Sequence, residues 1–223
     1  MAMESPMDRF LGKRLEAYDE WLAKGLISYS SRVIPVAESF APAQWVLPTA
    51  QALKIIEDAR VVAVQDCECR RHYQRCDHPL EVCMLLNHVA DKLAARGEAR
   101  YLEVDEAEEI LKQAHQSGLI HLSLYMPDHE IYALCSCCTC CCHELQIVKQ
   151  YGRRDLMVRS EYVAVTNLED CVLCGECLER CPFEARFLDG DCLICREDDC
   201  LGCGLCVTAC PAGAVSMHLR KKT

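Results

Sequence analysis

Apolar residues recur at helical spacing from the start of the chain. Leu11, Leu15, Tyr18 and Leu22 fall on one face and Gly25 ends the run, which predicts an amphipathic helix. Ser5-Pro6 reads as its N-cap and first helical position, with Asp8 at the capping-box site. A second helix is expected from Pro48 to Ala59, followed by a short strand, Val61-Val62-Ala63-Val64. The stripe Leu80, Cys83, Leu86, Ala90 and Leu93 predicts a third helix from Pro79 to Gly97. Asp105 to Glu108 is a capping box opening a fourth, with Ile110, Leu111 and Ala114 on one face and Gly118 as the stop. The period then changes to two. Ile120–Tyr125 and Glu130–Leu134 read as strands joined by a Pro127-Asp128-His129 turn.

A helix followed by a hairpin is also the pattern of a winged-helix unit. The DNA-binding version carries Lys and Arg on its reading helix, whereas Glu108, Glu109 and Gln113 stand here, so a structural use is expected. The formal net charge of −10 likewise argues against nucleic acid as a partner. No apolar run approaches the roughly 20 residues of a membrane span, and the first 25 residues lack the apolar stretch of an export signal. A cytoplasmic location is expected.

Cysteine changes this picture most. The 223 residues include 20 cysteines, and without them the hydrophobic fraction of 51% would leave a thin core. In a reducing compartment so many thiols point to metal rather than disulfides. None occurs in residues 1–66; ten fall between Cys67 and Cys142, and ten between Cys171 and Cys210. We place a domain boundary near residue 155, in the turn Gly152-Arg153-Arg154-Asp155, giving domains 1–155 and 156–223.

Residues 171–182 read C-V-L-C-G-E-C-L-E-R-C-P and residues 200–211 read C-L-G-C-G-L-C-V-T-A-C-P, two copies of C-x2-C-x2-C-x3-C-P offset by 29 residues. Three cysteines on a tight loop suit three irons of one cubane, and the fourth opens a short helix pointing toward the other copy. The proline after it, lacking an N–H, suits a first helical turn. Gly175, Gly202 and Gly204 let backbone N–H groups approach inorganic sulfide.

With these motifs, residues 160–217 resemble a bacterial-type dicluster ferredoxin. The resemblance implies two [4Fe-4S] clusters on a pseudo-two-fold scaffold of two β-hairpins and short helices. It further implies that Cys171, Cys174, Cys177 and Cys210 hold one cluster, and Cys200, Cys203, Cys206 and Cys181 the other. Tyr162–Val165 and Ala214–Met217 supply the expected strands. Cys192 and Cys195 follow an Asp189-Gly190 turn on a strand, where alternation sends them to opposite faces, so they are expected to pack rather than ligate.

Upstream, Cys67, Cys69, Cys76 and Cys83 form C-x-C-x6-C-x6-C, enough for one metal centre. Cys76 just before the expected third helix and Cys83 just inside it would lie near its positive end, and Arg70, Arg71, His72 and Arg75 would favour thiolates. A cluster is the leading reading; zinc and redox-active thiols compete. Residues 135–143 read C-S-C-C-T-C-C-C-H. If helical, Cys135, Cys138 and Cys142 form one row and Cys137 and Cys141 a second, with Cys140 beside them, and a subset of the six would ligate. One or two further Fe–S clusters are expected in this region. Residues 33–217, with C-x-C-R, C-D-x-P-x-x-x-C and C-x-C-C-x-C-C-C before the ferredoxin motif, resemble a group of bacterial and archaeal dicluster-domain iron–sulfur proteins carrying an extra upstream cysteine-rich module.

The expected fold is therefore α+β: a mainly helical cysteine-rich domain with a small β-hairpin, then a ferredoxin-like domain. The leading function is low-potential electron transfer. Residues 171–219 hold eight Asp/Glu against three Arg, a surface suited to a redox partner with a basic docking face. A reductase subunit with a catalytic cluster or thiolate in region 67–142 is the alternative, and an iron–sulfur redox sensor the third reading. The chain shows no dinucleotide fingerprint, phosphate loop or Ser-His-Asp arrangement.

Overall fold

The computed structural model describes residues 7–34, 49–127, 130–190 and 192–220. The first helix, α1, runs Arg9–Ala23, and Asp8 caps it by accepting from the amides of Phe10 and Leu11. Ser5 and Pro6 lie outside the described residues. Strand β1 (Ser31–Ile34) and helix α2 (Thr49–Asp58) follow, then β2 (Val62–Asp66), the short α3 (Glu68–Tyr73) and β3 (Glu81–Leu86). Next come α4 (Asn87–Ala94), β4 (Arg100–Leu102), α5 (Val104–Gln116), β5 (Ile120–Tyr125), β6 (Ile131–Cys137), α6 (His143–Tyr151) and β7 (Met157–Val158).

The N-terminal part carries far more sheet than the small β-hairpin the pattern implied. Seven strands form one sheet in the order β4-β2-β3-β6-β5-β1-β7. The expected third helix is the largest correction: its first half is β3, and Asn87, at φ 53°, turns the chain from strand into α4. Val82-Cys83-Met84-Leu85-Leu86 is an apolar run because the strand is covered on both faces, and that run also satisfies helical spacing. The β5–β6 hairpin lies inside the sheet, flanked by β3 and β1, so it is no free wing. Asp105 lies in the first turn of α5, whose N-cap is Glu103.

Strand alternation sorts the two faces. Val62, Val64, Met84, Leu86 and Leu134 pack on one side with Ala52 and Ile56 of α2 and Ala107 and Leu111 of α5. Ala63, Cys83, Leu85, Leu122, Ala133, Cys135 and Cys137 face the other side, against Ala90 of α4 and Leu145 and Val148 of α6. Helix α1 lies over α6 through Leu11, Tyr18 and Ile147.

Beyond β7, β8 (Tyr162–Thr166) pairs antiparallel with β11 (Val215–Leu219), and β9 (Arg186–Asp189) with β10 (Cys192–Cys195). Two four-residue helices, α7 (Glu176–Glu179) and α8 (Leu205–Thr208), complete this part. Leu201, Cys203 and Leu205 belong to the same packed core as Cys135, Cys137 and Leu145. Among the described residues no helix is long and apolar enough to cross a membrane.

Candidate metal centres

The ten N-terminal cysteines divide into two groups, and the division cuts across both sequence motifs. Cys76 leaves its quartet and joins Cys138, Cys140 and Cys141, whose sulfurs all lie within 4.8 Å of one another. Cys76 Sγ stands 3.7 Å from Cys138 Sγ and 3.8 Å from Cys141 Sγ, and Cys140 and Cys141 are 3.8 Å apart. Cys76 sits in the irregular stretch after α3, and the other three lie on the turn between β6 and α6. Neither Cys76 nor Cys83 is near a helix start, and segment 135–142 is strand then turn, so the helical rows do not form.

The other six, Cys67, Cys69, Cys83, Cys135, Cys137 and Cys142, line a cavity of about 150 Å³ that Cys138 of the first group also reaches. Their thiols form a continuous arc. Cys83 and Cys135 face each other across β3 and β6 with sulfurs 3.1 Å apart. Cys135 contacts Cys137, which contacts Cys142; Cys142 contacts Cys69, which contacts Cys67. The Cys137 and Cys69 thiols donate to Cys142 and hold it down at about 6 despite its burial. Cys142 is also the N-cap of α6, where a thiolate meets the positive helix end. Leu85, Val89, Leu93 and Leu124 form the apolar wall, and Arg14 and Glu68, paired at 2.7 Å, stand at its rim.

A buried polar network that the sequence reasoning did not include backs this cavity. His143 Nδ1 is 3.1 Å from Cys69 Sγ, and Nε2 donates to Tyr18 Oη at 2.9 Å. Tyr18 in turn donates to Glu144 Oε1 at 2.6 Å, and Ser30 and Ser31 donate to Oε2. Burial works against a charged imidazole, but Cys69 and Glu144 outweigh it and raise His143 to about 10. Glu144 stays below its ordinary value although buried, because His143, Tyr18 and Ser30 all bond its carboxylate. The cavity thus has a fixed imidazole on its wall. The signal was the histidine closing the C-C-C-H run.

In the C-terminal part, the two cysteine motifs exchange their fourth members. One small cavity is lined by Cys171, Cys174, Cys177 and Cys210, with Val172, Leu173, Leu178 and Leu193. The other is lined by Cys181, Cys200, Cys203 and Cys206, with Arg180 and Arg186. Among the described residues neither wall contains a carboxylate or an imidazole. Residues 164–187 and 196–216 match the 4Fe-4S binding domain. The C-terminal part is a ferredoxin-like iron–sulfur domain. No curated protein matches the chain.

The residues of this iron–sulfur domain fit a thiolate-bound cluster. The Ala214 amide donates to Cys210 Sγ at 3.3 Å. The Cys195 thiol and the amides of Ala164 and Gly202 donate to Cys200, which lies down at about 5. Left-handed residues recur at equivalent places 29 apart: Leu173 and Gly202, Gly175 and Gly204, Glu184 and Gly213. The same backbone path therefore serves both motifs. Cys195 touches the second group through Cys200, and its sulfur lies 3.6 Å from Ala164 O; Cys192 is exposed.

The two motifs of the iron–sulfur domain differ in what surrounds them. Val172 is 67% exposed and Leu173 45%, while Leu201 and Leu205 are buried at 8% and 1%. Arg186, 4% exposed, lines the second cavity, bonds Thr166 Oγ1 at 2.9 Å and also reaches Cys177 of the first, its Nε unpaired.

Proposed function

We propose that this iron–sulfur protein transfers electrons between a partner docking at loop 171–177 and the buried cysteine groups. The observation that carries this reading is the one-sided burial of the iron–sulfur domain: residues 172–174 are exposed, whereas residues 200–206 are all buried. Each C-terminal quartet would hold one [4Fe-4S] cluster, and four of the six cavity cysteines a third; when bound, such clusters supply reversible one-electron exchange.

The chain's own residues do the rest. Leu168, Val172 and Leu173 give the outer loop an exposed apolar centre, and Glu169, Asp170, Glu176 and Glu179 rim it. That combination suits a partner with a basic face, attracted at long range and desolvated on contact. Arg180 and Arg186 line the inner quartet's cavity, Arg186 also bonding Cys177 of the outer quartet, and their positive charge favours the reduced state where it lies. Leu201 and Leu205 keep water from the inner end.

The test is electron exchange with a basic redox protein at low and high salt. Reversing Glu169, Asp170, Glu176 and Glu179 to lysine is expected to slow exchange by about tenfold or more at low salt and to invert the salt dependence. Reversing Glu98, beside β4 at the sheet edge opposite β7, should leave the rate unchanged. Equal rates in all three proteins put the docking face elsewhere. A reductase is the second reading, favoured by the cavity's apolar wall and fixed imidazole; turnover of a small substrate with an artificial donor alone would select it.

A further inference from the structure

The compact group of Cys76, Cys138, Cys140 and Cys141 has the dimensions of a mononuclear site. A zinc ion bound by four thiolates at about 2.3 Å holds its sulfurs ~3.8 Å apart, the edge of a regular tetrahedron. Three of the separations here are 3.7, 3.8 and 3.8 Å, and none of the four sulfurs is more than 4.8 Å from another. In a cubane each thiolate binds a different iron, and the sulfurs stand farther apart than that. The group is sized for one ion.

Its surroundings match a site of net negative charge. Arg70 is 2% exposed, donates from Nη2 to Ser136 O at 2.8 Å and points Nη1 at Cys138 Sγ, 3.9 Å away. Its Nε is buried without a hydrogen-bond partner. A buried guanidinium with no carboxylate partner needs an anion, and four thiolates around a divalent ion carry two net negative charges. The loop carbonyls are held as well. Arg75 donates to Cys140 O at 3.1 Å and to Gln146 Oε1 at 2.9 Å, and Gln146 Nε2 donates to Cys141 O at 2.9 Å. Such outer bonds fix the directions in which ligands point.

We propose that Cys76, Cys138, Cys140 and Cys141 bind a single structural zinc ion, separate from the iron–sulfur clusters. Four thiolates fill the coordination shell and leave no position for substrate, so the ion ties the stretch after α3 to the turn before α6. The proposal does not rest on the electron-transfer reading. Six cysteines remain for the cavity, still more than a cubane requires.

The experiment uses the full chain, loaded anaerobically with both iron and zinc available. Metal analysis should find one zinc per chain, and X-ray absorption at the zinc edge four sulfur neighbours at about 2.3 Å. Cys76→Ser and Cys140→Ser should each lose the zinc while iron and acid-labile sulfide stay at the wild-type level. Arg70→Gln should weaken zinc retention against a chelator by about 10–100-fold. A wild-type chain with full iron and no zinc overturns the proposal, as does zinc with nitrogen or oxygen neighbours or a mononuclear iron at these four sulfurs. Loss of iron and sulfide in the serine variants would assign the group to a cluster instead. If those variants fail to fold, the wild-type zinc count and absorption spectrum decide alone.

Discussion

Loops 171–177 and 200–206 share their cysteine spacing and their left-handed positions, yet one meets water and the other is sealed under the sheet. The third residue of each loop shows why the sequences diverge. Leu173 holds φ 52° with its side chain in solvent, at a cost of about 1–2 kcal/mol for a non-glycine residue. At the equivalent Gly202, φ 73°, a Cβ would run into the Tyr162 carbonyl oxygen. Backbone conformation asks for glycine at both places, but only close packing enforces it. The repeat is conserved in path and differentiated in environment.

Gly202→Ala should therefore break the comparison most strongly. It collides with backbone, and β8 or the loop must shift, costing about 3 kcal/mol or more. Iron analysis and the reduced EPR spectrum should show the inner signal lost and the outer kept. At the matched position Leu173→Gly should keep both signals and raise stability by at most about 1 kcal/mol in a denaturant titration.

The seam that seals the inner loop is sensitive to acid. His115 of α5 bonds Thr208 Oγ1 of α8 at 3.0 Å, and burial together with nearby Arg180 lowers it to about 4. The unfolded chain binds this proton below about pH 6.5 while the folded chain refuses it until about pH 4, so stability falls as pH drops through that window. The full loss is on the order of 3 kcal/mol at 1.4 kcal/mol per unit. Denaturation midpoints at several pH values should show that part of the decline absent in His115→Gln; parallel profiles would mean that the seam does not titrate.

The smallest effect separates the two remaining cysteines. Cys195 donates to Cys200, and such a bond favours the reduced state, so Cys195→Ala should lower the inner potential without changing the iron content. Cys192→Ala should change neither. Loss of iron in either variant would make that residue a ligand.

What could be read from the sequence follows the range of the interactions. The C-terminal quartets are local: a spacing of three residues and a repeat of 29 carry their geometry, and both cavities contain the expected four thiols. The N-terminal groups depend on strand register. Cys83 meets Cys135 only because β3 pairs with β6, and a motif of 17 residues carries no trace of a partner 52 residues on. The alternating C-S-C at 135–137 was a legible strand signal, obscured by the density of cysteines after it. Arg70 was noticed for its charge, but its burial depends on the turn at 138–142 closing over it.

Cys141 and Cys142 are consecutive, yet one faces the compact group and the other the open cavity. A single peptide unit is thus the shared wall of two sites, and its torsions serve both at once. With no spacer residue between them, the two groups share backbone as well as packing.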